Sequence, residues 1–199
     1  MTDPLLIDVP ERFVTARLIL RCAKPGDGAA LNAAVCESLE QLRPYVPWAG
    51  TVPTIAESEA IVRKAQARFL LREDLMLLIF ERRADDSEGE VLGGTGLHRM
   101  DWKVRRFEIG YWRRTGREGR GIATEAVLAL NRMAFDELQA LRVELRIDNL
   151  NAPSWRVAER AGFTLEGVLR SESLAPGGAP RDMRVYSRVR GVEEPALPL

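Results

Sequence analysis

Arg117, Glu118, Gly119, Arg120, Gly121, Ile122, Ala123, Thr124, Glu125 and Ala126 form a short, basic, glycine-rich run that leads straight into a helix-patterned segment. Ile122, Ala126, Val127, Leu130, Met133 and Ala134 recur at helical spacing and predict that helix. The first N–H groups of a helix have no partner within it, its dipole adds partial positive charge, and glycines let the backbone close on a phosphate. The chemistry this pattern offers is anion binding; the alternative is an ordinary helix start behind a solvated basic loop. No Gly-Lys-Ser/Thr follows, which excludes a nucleotide-triphosphate loop. Thr124 stands where the third glycine of a dinucleotide fingerprint would fall, and Gly94-Thr95-Gly96 lacks one as well.

The chain has 199 residues, a formal net charge of zero and 46% hydrophobic residues, which fits one globular domain with a sizeable core. A charge balance of zero argues against a nucleic-acid binder. The local basic surplus over residues 99–120 suits a small polyanion or a solvated hairpin. Two cysteines, Cys22 and Cys36, make neither a metal spacing nor a disulfide framework, and His98, the single histidine, cannot hold zinc alone. No metal is therefore expected. The sequence offers no signal-peptide core and no bilayer-length apolar run, so a soluble cytoplasmic protein without a membrane partner is the expectation.

Several elements must position these residues. Residues 18–22 read as a strand, Pro25-Gly26-Asp27 as a turn, and residues 27–42 as a helix. Pro44 and Pro47 make residues 43–48 a loop, which carries Tyr45 and Trp48. A second helix covers residues 54–72, opened by a Thr54/Glu57 capping box. Strands follow at 75–82, 91–99 and 107–113, with an acidic turn at 84–89. The glycine-rich loop and its helix run to about residue 138. Residues 142–147 alternate strictly, as a strand with one buried face does. Asn151 caps a short helix with Pro153 in its first turn and Gly162 at its end. Strands at 163–170 and 183–190 close a mixed α/β domain of residues 15–190. Residues 1–14 are read as an N-terminal extension and the proline-rich residues 191–199 as a mobile tail.

Four segments in order carry a family resemblance. They are Thr15-Ala16-Arg17-Leu18-Ile19-Leu20-Arg21; Glu108-Ile109-Gly110-Tyr111-Trp112; the loop from Gly119 through Ala126; and Asn151-Ala152-Pro153-Ser154 through Gly162-Phe163, with Glu166-Gly167 and Arg170 beyond. Over residues 15–190 the chain resembles the GNAT superfamily of N-acetyltransferases, in its RimJ/RimL-like branch. The resemblance implies a central, mostly antiparallel mixed sheet, splayed between two strands, with helices on both faces. It also implies acetyl-CoA as cosubstrate and a primary amine as acceptor. Carried over, the pyrophosphate falls on backbone N–H groups of residues 118–124, with Arg117, Gly119, Arg120, Gly121, Ile122, Ala123 and Thr124 as contacts. The pantetheine arm falls along Tyr111, Trp112 and Arg113, with Asn151 and Ser154 beside it. A splay exposes unpaired strand groups, and a pantetheine amide chain supplies their partners as an added strand does.

Two positions depart from the superfamily. Glu118 stands where Arg or Gln is common, and Ala158 stands where a tyrosine commonly protonates the leaving thiolate. Ser154 matches the serine that this branch often uses instead. Glu108, in the strand beside the expected thioester, is the candidate base; the alternative is a surface glutamate paired to Arg106 or Arg113. His98 is the second candidate. Ser154 is the candidate donor to the thiolate, or a first-turn residue bonding helix N–H groups. Asn151 bonds the pantetheine or caps its helix. Backbone N–H groups around residues 109–111 suit an oxyanion. Tyr45 and Trp48, with His98, are candidates for the acceptor pocket, and core packing is the alternative for the two aromatics. The acceptor readings are a protein N-terminal α-amine of the ribosomal-protein type, a small amine (amino acid, polyamine or antibiotic), or none, the chain then being an acyl-CoA-binding module. Dimers are common in this branch; the sequence itself marks no interface.

Overall fold

The computed structural model describes residues 3–196, so residues 1–2 of the expected extension and 197–199 of the expected tail lie outside the described part. Eight strands form one sheet in the order β1-β2-β3-β4-β5-β6-β8-β7. They are β1 (Arg12–Val14), β2 (Leu18–Cys22), β3 (Leu75–Arg82), β4 (Glu88–Asp101), β5 (Arg106–Arg113), β6 (Arg142–Asp148), β7 (Thr164–Leu174) and β8 (Pro180–Val189). Every pairing is antiparallel except β5 with β6. Helices α1 (Gly28–Leu42) and α2 (Ile55–Leu70) cover one face; α3 (Ile122–Asp136) and α4 (Ala152–Arg160) cover the other. This is the mixed α/β architecture the resemblance implied.

Strand alternation explains the two layers of core. Leu18, Leu20 and Cys22 of β2, with Leu75, Leu77 and Ile79 of β3, join the α3–α4 side. Ile19, Leu78 and Phe80 join the α1–α2 side. On α3, Ile122, Ala126, Val127, Leu130, Met133 and Ala134 are all buried, as their spacing predicts. The capping box at α2 forms in full: the Thr54 hydroxyl accepts from the Glu57 N–H, and the Glu57 carboxylate accepts from the Thr54 N–H.

Helix α1 begins at Gly28, just after the turn read from sequence, and the Asp27 side chain makes no cap hydrogen bond to it. Its carboxylate takes two hydrogen bonds from Arg21, at 2.7 and 2.8 Å. Glu59 of α2 serves the open end of α1 instead, accepting from the N–H groups of Gly26 and Gly28 at 3.0–3.1 Å. Gly28 permits that approach, because a Cβ there would lie 2.6 Å from Glu59 Cα.

Both chain ends join the sheet further than residues 15–190 would suggest. Three residues of the expected extension form β1 and pair with β2, and Val9 is buried. At the other end, the Glu194 carboxylate accepts from Asn131 at 2.8 Å and faces Arg188 at 2.9 Å. The last hairpin is longer than read, because β7 runs on to Leu174 and β8 starts at Pro180.

Candidate active site

Strand β5 pairs with β6 only at Arg106–Arg142, Phe107–Val143 and Glu108–Glu144. Beyond Glu108 the two strands separate. The Arg114 N–H bonds the Leu92 carbonyl on β4, and β4–β5 pairing is regular from Gly93–Arg113 to His98–Glu108. Strand alternation therefore aims the backbone groups of Tyr111 and Arg113 into the gap, where β6 no longer meets them. The gap opens toward the end of β5, where the glycine-rich loop begins.

In that loop Gly116, Gly119 and Gly121 all adopt left-handed conformations, with φ of 76°, 72° and 72°. Gly121 is the residue before α3, so the chain turns into the helix through a conformation costly to any residue with a Cβ. Among the described residues, the N–H groups of Ile122, Ala123 and Thr124 meet no acceptor, as expected of a first helical turn. The side chains around the loop are arranged differently from the sequence reading. Arg117 is held on Glu90 by two hydrogen bonds of 2.7 and 2.9 Å, and Arg114 binds Glu37. Arg113 binds Glu118 at 2.6 Å, and that same carboxylate oxygen accepts from the Gly116 N–H. The charge of Glu118 is thus balanced from within, and the Arg113 hydrogen bond chiefly holds its pKa below the usual carboxylate value. The basic run is largely an ion-paired rim. Arg120 alone of the loop arginines has no carboxylate partner among the described residues, while its carbonyl accepts from Arg17.

A cavity of about 810 Å³ runs through the gap. It brings together Glu108, Tyr111, Trp112, Asn151 and Ser154 with Tyr45, Trp48 and His98, residues separated by up to about a hundred positions in sequence. The loop residues from Arg113 to Thr124 do not line it. Odd-numbered Ile109 and Tyr111 face the α3–α4 layer, whereas Glu108, Gly110 and Trp112 face α1 and α2. The Trp112 indole consequently packs edge-on to Trp48 at 6.0 Å between ring centres. Its side chain belongs to the α1–α2 side of the gap, and only its backbone follows the strand edge.

On the α3–α4 side, Ser154 lies in the first turn of α4. Asn151 caps that helix, its side-chain oxygen accepting from the Ser154 N–H at 3.2 Å. The Tyr111 hydroxyl lies 2.7 Å from Ser154 Oγ, a contact in which either oxygen can be the donor, and 3.0 Å from the Ser154 carbonyl, to which its one proton can go instead. This link across the gap was not read from sequence; nothing in the spacing of residues 111 and 154 signals it. Burial pushes the Tyr111 phenol up to about 12, so it stays protonated through the physiological range.

On the opposite side, Glu108 faces Arg99 at 3.1 Å and Arg146 at 3.7 Å, in place of the Arg106 or Arg113 partners considered from sequence. Burial outweighs these arginines and raises its pKa above the usual carboxylate value, which makes it a better proton acceptor. His98 pairs with Glu108 across β4 and β5 and sits 2.8 Å from Asp74 through Nδ1. Its ring lies over Gly96 and Gly110. A Cβ at Gly110 would stand 2.8 Å from His98 Cδ2, so Gly110→Ala must displace the ring. We expect that variant to lose about 1–3 kcal/mol of stability by overpacking. It should also move the His98 imidazole NMR signals, which are unique because the chain has one histidine; unchanged signals would contradict the packing described. Arg146, Asp148, Glu172 and Arg181 also line the cavity and were missed from sequence. Strict alternation on β6 could have flagged Arg146 and Asp148 as one face.

Residues 17–164 match the family model described as Acetyltransferase (GNAT) domain. The chain belongs to the GNAT acetyltransferase family. It is 30% identical over 182 residues to the Bacillus subtilis N-acetyltransferase YoaA, covering 88% of this chain and 95% of that protein. It is 29% identical over 165 residues to the ribosomal-protein-serine acetyltransferase of Escherichia coli, covering 80% and 85%. A shorter match, 38% identical over 103 residues, spans 56% of Bacillus subtilis YdaF. Among solved structures, RimL in complex with coenzyme A superposes with a TM-score of 0.80 at 24% identity, covering 89% of this chain and 96% of that one. The microcin C7 self-immunity acetyltransferase MccE, in complex with acetyl-CoA and AMP, gives 0.80 at 23% identity, covering 88% and 94%. These two likenesses establish the fold.

Proposed function

We propose that this protein transfers the acetyl group of acetyl-CoA to a primary amine, and that the amine is a protein N-terminal α-amine of the ribosomal-protein type. The observation that carries the reading is the single cavity through the β5–β6 gap, with Glu108 and His98 at one side and Ser154 with Tyr111 at the other. The names of the relatives, ribosomal-protein-serine acetyltransferase and RimL among them, point to the same acceptor class.

The residues fit the cosubstrate. The unpaired Tyr111 carbonyl and the Arg113 N–H on the β5 edge can pair with the amides of a pantetheine arm, and the open N–H groups of Ile122, Ala123 and Thr124 can hold its pyrophosphate. Acetyl-CoA supplies the thioester whose carbonyl carbon the amine attacks. Burial of Glu108 suits it to take the proton the amine nitrogen loses. An α-amine needs little help, since with a pKa near 8 roughly a tenth of it is neutral at pH 7. The Tyr111 N–H, aimed into the gap, is placed to hold the oxyanion. Ser154 Oγ donates a hydrogen bond to the sulfur as the C–S bond breaks. A thiol pKa of roughly 8–9 makes this a hydrogen bond to the thiolate rather than full proton transfer from the serine. The test is mass spectrometry of peptides carrying free N-termini after incubation with the protein and acetyl-CoA. Acetylation confined to the α-amine is expected; modification of lysine side chains or of small amines alone would shift the acceptor class.

A further inference from the structure

The cavity has two chemically distinct walls. The wall from β4 to β8 carries all of its charge, on Arg99, Glu108, Arg146, Asp148, Glu172 and Arg181, together with the His98 imidazole. Each carboxylate there faces an arginine. Glu172 meets Arg146 at 3.0 Å, and Asp148 meets Arg181 at 3.4 Å, while Glu108 has Arg99 at 3.1 Å. The wall from α1, α2 and the connection between them contributes no charged residue to the cavity. Val46, Trp48, Pro53 and Ile61 line it, with Met76 and Trp112 of the sheet on the same side and hydroxyls only at Tyr45 and Ser58. Trp48 is 52% exposed and Ile61 49% exposed, so both present apolar surface to whatever enters. Large apolar side chains left open beside a reactive centre mark a subsite for apolar substrate surface.

We propose that this apolar wall selects the acceptor: the amine that is acetylated is flanked by a large apolar side chain, such as an N-terminal Leu, Met or Phe, seated against Trp48, Trp112 and Met76. The amine itself lies toward the charged wall beside Glu108. This rests on the acetyltransferase reading above and departs from the serine in the name of the Escherichia coli relative, because this chain's own cavity lining is apolar at that wall. A serine or alanine would leave the Trp48 surface wet, and an acidic first residue seated there would give up hydration to an apolar surface. Filling such a pocket discriminates substrates by about 10- to 200-fold.

The experiment uses one peptide sequence with Leu, Met, Phe, Ala, Ser or Glu at its first position. Turnover is followed as released thiol, and binding is followed by tryptophan fluorescence at saturating coenzyme A. The expected result is kcat/KM at least about tenfold higher for Leu, Met and Phe than for Ser and Ala, with the same order in binding. Trp48→Ala should narrow that ratio. Equal or reversed order in both readouts overturns the apolar subsite while leaving acetyl transfer intact. Ordered binding without turnover of any peptide keeps the subsite and overturns the transferase reading. Absence of both binding preference and turnover overturns both.

Discussion

Replacing Ser154 with alanine is expected to lower kcat for acetyl transfer by about a hundredfold or more, within the usual range for a positioned proton or hydrogen-bond donor. Its KM for acetyl-CoA should change little. Ser154 Oγ is held 2.7 Å from the Tyr111 hydroxyl, on the α4 turn that Asn151 caps. When the tyrosine donates to Oγ, the serine proton is free to turn into the gap toward the sulfur. Tyr111→Phe removes that orienting contact but not the serine, so its loss in kcat should be smaller. The double variant should be little worse than Ser154→Ala alone, since residues acting as one unit are not additive. Steady-state kinetics on the three proteins, with thermal melts to verify folding, decide the matter. A Ser154→Ala enzyme with unchanged kcat removes the donor role.

The second large effect concerns stability in acid. Arg21 is 6% exposed and makes two hydrogen bonds to Asp27 and two to Glu88, with its guanidinium 4.3 Å from the Phe80 ring centre. Breaking a buried ion pair by removing one partner costs about 3–5 kcal/mol. Asp27→Asn leaves Glu88 in place, so the lower part of that range is expected. Burial by itself would favour the neutral acid at Asp27, but the hydrogen bonds from Arg21 and the Lys24 N–H prevail and lower its pKa. The Arg21 hydrogen bond lowers that of Glu88. A carboxylate with a depressed folded-state pKa stabilises the fold fully above its unfolded-state value, about 3.9 for Asp and 4.3 for Glu. That stability is lost as pH falls through the folded-state value. Denaturant melts of the native protein should therefore weaken below about pH 4, and Asp27→Asn should show a shallower acid dependence from a lower starting stability. Parallel curves for the two proteins would contradict this assignment.

Much of the fold was legible because its periodicities are strong. The α3 pattern and the α2 capping box appear where the residues place them; β6 forms where its alternation predicts, but its polar face is not solvent-facing, since Glu144 and Asp148 are buried too. Strand β1 was not legible: three residues with alternating exposure leave no hydrophobic pattern above noise. The far half of the last hairpin was missed for a related reason. It is largely exposed, and Ser171, with φ of 51°, interrupts its register. Asp27 was read only as part of a turn and the start of a helix; the fold brings Arg21 beside it. At the site, the family resemblance together with residue types suggested Glu108, Tyr111, Asn151, Ser154, Tyr45, Trp48 and His98, and all seven line one cavity. What sequence could not give was pairing. Charge counting made residues 99–120 look like a free cationic surface, whereas the fold seats Arg99, Arg113, Arg114 and Arg117 on carboxylates drawn from distant strands and helices or from the loop itself.

The most direct test of the central claim is isothermal titration of the purified protein with acetyl-CoA, with NADH and ATP as controls. Selective micromolar binding of acetyl-CoA, lost when coenzyme A already fills the site, is the result predicted by the open β5–β6 gap and the uncapped start of α3. No binding, or equal binding of all three ligands, would contradict it.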